Sequence, residues 1–241
     1  MLKGSLFDGG GYYSFRDWLS YPLACGFSHR RFDLSFEGRR KELSLGALKS
    51  FIRLLAIEEA NLVIPHQTQS AHIEVVDETN RFTNLCCDGL ITKVKAIALT
   101  VLSADCSPIF FYDKPNQIIG IAHVGWRGLK DHLPEKMVGV IRRLGKPRPS
   151  SIRVGIGPTI RGCCYEIGRE QEILFLRHID YRDGRRFLDL AGATIEQLIR
   201  SGIKKEEIVD SYTCPSCENG RFFSWRRERT EGRTMSVIMM R

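Results

Sequence analysis

Residues 96–129 read AIALTVLSADCSPIFFYDKPNQIIGIAHVGWRGL, two apolar runs with a single break between them. The break is Asp113, Lys114, Pro115 and Asn116, whose side chains and restricted backbones favour a tight turn. PIFFYD and QIIGIAH are therefore predicted to pair as an antiparallel hairpin. If Tyr112 faces Gln117, the register sets Cys106 opposite His123 at the open end, with Cβ atoms on the order of 5 Å apart. A thiolate and an imidazole that close make either a metal site or a catalytic pair. Each residue has a plainer reading alone, because free cysteine often behaves as a small buried apolar residue and a lone sheet histidine as a hydrogen-bonded core residue. Their placement together at strand ends favours chemistry. Asp105 precedes the cysteine, and a glycine-bracketed GWRG loop follows the histidine, with Arg127 suited to holding an anion.

The remaining pattern mixes helices and strands. Helical spacing covers residues 43–61, 132–144 and 190–201, with Pro134 tolerated in a first turn. Ile73–Val76, residues 96–102 and Ile152–Ile156 read as extended, and GKPRPSS at 145–151 as turn material. No regular βαβ alternation runs through the chain, so α+β is expected over doubly wound α/β. There is no internal repeat and no linker rich in Pro, Gly or Ser, which predicts one domain over residues 1–241. A length of 241 residues at 43 % hydrophobic content suffices for a sizeable core. No run has the 18 or more apolar residues of a membrane helix, and MLKGSLFDGGGYY lacks the apolar stretch of a signal peptide. Those features predict a cytoplasmic protein whose eight cysteines stay reduced; Cys86–Cys87 and Cys163–Cys164 are adjacent pairs awkward to bridge.

A formal charge of +8 raises the question of nucleic acid, above all at RFFSWRRERTEGR, residues 221–233. No recognised nucleic-acid module surrounds that stretch, which favours a terminal hairpin with a solvated basic rim, or a phosphate-bearing small substrate. Six histidines without a His-X-His pair argue against copper oxidase chemistry. His72-Ile73-Glu74 and Cys214-Pro215-Ser216-Cys217 echo the zinc deaminase signature, yet Thr213 stands where that signature has proline. Cys214 and Cys217 accordingly read as structural or solvent-facing thiols, since a metal clip built on them would lack its other half.

Four motifs occur in one order: ADC at 104–106, AHVGWRG at 122–128, GIGPTIRGCCYEIG at 155–168 and FFSWRRERTEGR at 222–233. With GFSHR at 26–30 and DGLIT at 88–92, they resemble the purine nucleoside phosphorylases formerly described as the polyphenol oxidase, or laccase-domain, family. The resemblance implies a layered α/β/β/α arrangement with mixed sheets, related to toxin-type deamidases. It also implies phosphorolysis of adenosine and related nucleosides, with adenosine deamination as a second activity, and zinc as cofactor. By that resemblance Cys106 and His123 are two zinc ligands, and Gln69 stands where a QVHG-like motif has the third, a histidine. A neutral amide is a poor zinc donor, so loss of tight binding is predicted unless His72 swings in; His66 and His72 both lie at odd offsets from Gln69. Arg127, with Arg30 and Arg226, is expected to bind substrate phosphate, and Cys164 and Tyr165 either line the pocket or serve as buried structure. Two alternatives stay open. One is a thiol hydrolase or deamidase with Cys106 as nucleophile and His123 as base, and the other an impaired relative that binds a nucleotide or a protein.

Overall fold

The computed structural model describes residues 2–3, 6–34, 36–37, 42–145, 151–218 and 220–241. Most of the turn expected at 145–151 lies outside them. The apolar hairpin forms as Ser107–Asp113 against Ile118–Val124 and occupies the middle of a seven-stranded sheet. Across that sheet the strands run Leu2–Lys3, Ile208–Asp210, Ile152–Ile156, Ser107–Asp113, Ile118–Val124, Gly89–Thr92, Ile73–Val76. Parallel pairs at both margins and antiparallel pairs at the centre make it mixed. A six-stranded sheet runs Leu6–Asp8, Tyr12–Phe15, Leu23–Ser28, Thr234–Met240, Ala98–Ser103, Leu62–Val63.

Side-chain alternation explains how these sheets stack. Along the hairpin, Phe110, Tyr112, Ile119 and Ile121 turn to a cluster shared with Phe15, Phe27, Leu99, Val101 and Ile238 of the other sheet. Phe110 lies edge-on to Phe15 and Phe27 at ring separations of 5.5 and 5.1 Å. Ile109, Phe111, Ile118 and Ala122 point the opposite way, onto helix α3 (Leu133–Gly145) and the helix Leu190–Arg200. Behind the six-stranded sheet, Ala98, Leu102, Val237 and Met239 meet Leu48, Phe51 and Ile52 of helix α1 (Leu45–Leu54). The layers are thus helix, sheet, sheet, helix, and central strands buried on both faces must be apolar throughout. Burying each such side chain contributes roughly 1.5–3 kcal/mol, which concentrates stability beneath the hairpin.

Three local expectations are corrected. The hairpin pairs Tyr112 with Ile119 and Pro108 with His123, two residues away from the expected register. The turn takes in Gln117, at φ +50°, whose amide donates to the Lys114 carbonyl at 3.3 Å and closes a longer loop. A slip of two keeps every side chain on its face, so Cys106 still ends beside His123. The helix expected over 43–61 stops at Leu54, because Ala56 turns left-handed at φ +53° and only a 3-10 turn, Glu59–Asn61, follows. Residues 221–233 form no hairpin; Phe222 and Phe223 are buried, and Ser224 caps a short helix, Trp225–Glu228, by accepting the Arg227 amide at 3.2 Å.

Candidate active site

His123 sits on the core strand Ile118–Val124 and is 7 % exposed. Its amide donates to the Asp88 carbonyl at 2.8 Å, and its Nδ1 meets the Asp88 carboxylate at 2.8 Å. Asp88 is wholly buried just before strand Gly89–Thr92, and its other oxygen gathers the amides of Ser70 (2.7 Å) and Thr68 (3.1 Å) and the Ser70 hydroxyl (3.0 Å). Burial would raise the Asp88 pKa, but His123 and the Ser70 amide outweigh it and hold the carboxyl below its usual range. With Nδ1 given to Asp88, Nε2 is the nitrogen left to address Cys106, whose side chain lies close enough to act on the ring's charge. Burial alone would discharge the imidazole; the Cys106 side chain and the Asp88 carboxylate reverse that and push its pKa up to about 10.

Cys106 is half-buried, one residue outside its strand. Asp105 before it adopts φ +94°, a backbone conformation that non-glycine residues take only under local constraint. The constraint is visible: its carbonyl accepts the Ile160 amide at 2.9 Å and its Oδ2 accepts the Arg226 amide at 2.6 Å. On the far side, a Cβ added at Gly125 would lie 3.0 Å from the Cys106 sulfur, so the first glycine of GWRG leaves room for the thiol.

Basic and phenolic groups surround this pair. Arg127, on the short helix α2 (Trp126–Lys130), is exposed, stacks over Trp126 and donates to Gln69 Oε1 at 2.7 Å. Arg226 donates to the Glu166 carbonyl at 2.8 Å and lies over the Tyr165 ring. Burial and the nearby Cys106 push the Tyr165 phenol up, with Arg226 and Arg127 opposing. Tyr165 therefore keeps its phenolic proton beside Cys106 and Arg226. Arg30 is held elsewhere, with both guanidinium nitrogens on the Glu228 carboxylate at 2.6 and 2.5 Å. His72 pairs with Glu74 at 2.7 Å at the sheet margin, and His66 is exposed with its backbone bridged to Cys86.

A zinc centre with three protein ligands does not fit these residues. Cys106 and His123 converge, and the His–carboxylate bond is the support that metal-ligating histidines use. No third imidazole, thiol or carboxylate among the described residues joins them. Gln69, at φ +56°, offers a neutral amide whose oxygen Arg127 already occupies. Instead the described residues gather Cys163, Cys164, Cys214 and Cys217, whose sulfurs all lie within 4.8 Å of one another and could hold a metal ion. The expectation that Cys214 and Cys217 lack their other half is thereby corrected: Cys163 and Cys164, far away in sequence, supply it. Asp88 was the other residue the motifs left without a role; its signal is an acidic residue immediately before the apolar run GLIT. A groove of about 540 Å³ lined by Leu129, His132, Phe175, His178 and Glu196 includes none of these groups.

Two mixed sheets stacked between helices, with an Asp–His–Cys line at the open end of the central hairpin, define a laccase-domain type of protein. Residues 27–241 match the family model described as multi-copper polyphenol oxidoreductase laccase, and the chain belongs to that family. It is 31 % identical over 205 residues to a purine nucleoside phosphorylase of Aquifex aeolicus, covering 85 % of this chain and 94 % of the relative. It is also 31 % identical over 202 residues to an adenosine deaminase, RL5, of an unknown prokaryotic organism, covering 76 % and 77 %. The crystal structure of YlmD from Geobacillus stearothermophilus superposes with a TM-score of 0.89 at 25 % identity over the full length of both chains. Mixed α+β architecture is common to both structures. No helix of the described residues is long and apolar enough to cross a membrane.

Proposed function

We propose that this chain is a purine nucleoside phosphorylase, cleaving adenosine, inosine or methylthioadenosine with phosphate at the Cys106–His123 centre. The observation that carries the reading is the His123 imidazole, fixed through Nδ1 to buried Asp88, which leaves Nε2 as the nitrogen for proton transfer. A relative named purine nucleoside phosphorylase, matched along 94 % of its length, supports it. Arg127 exchanges the Gln69 amide for phosphate oxygens, and Arg226 together with the Tyr165 phenol bounds the other side. A phosphate oxygen bonds to the anomeric carbon as the bond from that carbon to the purine nitrogen breaks, and the electron pair leaves with the base. The proton on His123 Nε2 passes to the departing purine, and the phosphate's own proton restores the imidazolium. Asp88 holds the ring and its charge throughout. Arg30 serves indirectly, anchoring through Glu228 the segment that presents Arg226.

A second reading has its own observation, since Asp88, His123 and Cys106 stand in the order of a nucleophilic triad. It makes Cys106 the attacking atom of a thiol hydrolase or deamidase. One assay separates the two: adenosine, inosine and methylthioadenosine are incubated with and without phosphate, and free base, ribose 1-phosphate and ammonia are measured. Phosphate-dependent base release that falls at least about 100-fold in His123→Ala is the expected result. Turnover independent of phosphate and destroyed by iodoacetamide points to the triad. No turnover at all, with nucleoside still bound, leaves the impaired binding relative.

A further inference from the structure

The four-cysteine cluster belongs to no step proposed above. Cys163 and Cys164 lie in the turn before strand Glu166–Ile167, where the Arg161 carbonyl accepts the Cys164 and Tyr165 amides, each at 2.9 Å. Cys214 and Cys217 close a second turn, in which the Cys214 carbonyl accepts the amides of Cys217 (3.1 Å) and Glu218 (3.0 Å). The two turns are held in register independently of the sulfurs. Arg161, on the first, forms a two-pronged bond to Asp210 before the second at 2.8 and 2.5 Å. Arg227 donates to the carbonyls of Pro215 and Ser216 between the second pair of cysteines. Convergence of the thiols therefore follows from the fold.

The sulfur spacing discriminates among fates. Cys217 stands 3.5 Å from Cys163 and 3.4 Å from Cys164, almost equally close to both. A disulfide needs about 2.05 Å and joins one pair only. A tetrahedral zinc with bonds of about 2.3 Å has sulfur–sulfur edges of about 3.8 Å, which the four atoms reach by small side-chain rotations. Iron–sulfur clusters spread four cysteines over two or more irons, too far apart for a group this tight. We infer that Cys163, Cys164, Cys214 and Cys217 form a tetrathiolate site for one thiophilic divalent cation, zinc, lying outside the Cys106–His123 centre. Four protein ligands leave no open position, so the site is a structural clip. What it clips is specific: the first turn leads directly into Tyr165, and Arg227 of the second assembly neighbours Arg226. The two walls of the candidate active site are thereby tied together.

The test is metal stoichiometry of the full chain, expressed in zinc-supplemented medium and purified without chelator, alongside Cys217→Ser and a Cys106→Ser/His123→Ala double variant. About one zinc per chain is expected in the wild type and the double variant, and at most about a tenth of that in Cys217→Ser. Cobalt exchanged into the wild type should show intense thiolate charge-transfer absorption and tetrahedral d–d bands, a readout that needs no mutation. Cys217 is exposed, so its loss spares the core. Metal-free wild type, zinc lost from the double variant but kept by Cys217→Ser, or a two-dalton mass deficit restored by dithiothreitol would each overturn the site. None of these readouts depends on nucleoside turnover.

Discussion

Two regions of this molecule gather soft ligands, and they are built in opposite ways. At the open end of the hairpin, Asp88 and His123 are fixed by strands buried on both faces, and the pair with Cys106 is left one donor short. At the turns of the CCYE and CPSC segments, four sulfurs meet on a half-exposed surface with a full set of donors. The first region holds a proton and keeps a face open; the second is closed. An open position suits catalysis and a complete shell suits architecture, so donor number rather than burial separates the two roles.

Substitution at Asp88 is the most direct way to break that contrast. Asp88→Ala removes the acceptor of His123 Nδ1 and of two loop amides, leaving buried donors unpaired. Turnover should fall at least about 100-fold, and unfolding free energy by about 3 kcal/mol, while zinc on the four cysteines stays unchanged. A pH series adds the sign. His123 has a folded pKa raised from 6.5 to about 10, so the native state binds the extra proton. The stability this gives is complete below pH 6.5 and is lost as pH rises through about 10. In urea titrations, Asp88→Asn should flatten the wild-type decline between those values; an unaltered decline would detach it from the Asp88–His123 pair.

Gln69→His should have a smaller effect on fold and a clear one on metal. Gln69 occupies a left-handed backbone position at φ +56°, which histidine tolerates better than most residues. By the family motif an imidazole at this position would supply the donor that the Cys106–His123 pair lacks, and it would release Arg127 from its bond to the amide. Zinc content should rise by about one equivalent, and Cys106→Ser placed on top should remove that increment alone. An increment that survives Cys106→Ser locates the new metal elsewhere.

Legibility in the sequence followed the same division. The hairpin, the flanking helices and the nearness of Cys106 and His123 could be read because they depend on local periodicity and turn chemistry. The register was misread by two residues because Gln117 joined the turn, which composition does not announce. Asp88 escaped a role because its partners lie at positions 68, 70 and 123, brought together only by parallel pairing of Ile73–Val76 with Gly89–Thr92. The second half of the cysteine cluster was hidden for the same reason, since about fifty residues separate its two turns. Gln69 was legible as a departure from the family motif, and its bond to Arg127 was not.

The smallest expected effect asks whether the two regions are mechanically joined. Glu228 accepts both nitrogens of Arg30 and the Ser224 amide, which fixes the short helix carrying Arg226 toward one region and Arg227 toward the other. The Arg30 guanidinium holds its carboxyl down at about 2, against burial. A depressed carboxylate stabilises the native state above its ordinary value of 4.5, and that contribution disappears as pH falls through about 2. With both side chains part-exposed, solvent screening reduces the contribution to about 1–2 kcal/mol. Glu228→Gln should lose that amount at pH 7 and little at pH 2.5, measured by denaturant unfolding. If the helix couples the regions, the same variant should raise the KM for phosphate a few-fold and speed zinc release to a chelator. A change in KM with unaltered zinc release would show that Arg226 and the cysteine turns are positioned separately, because Arg227 keeps its own bonds to Pro215 and Ser216.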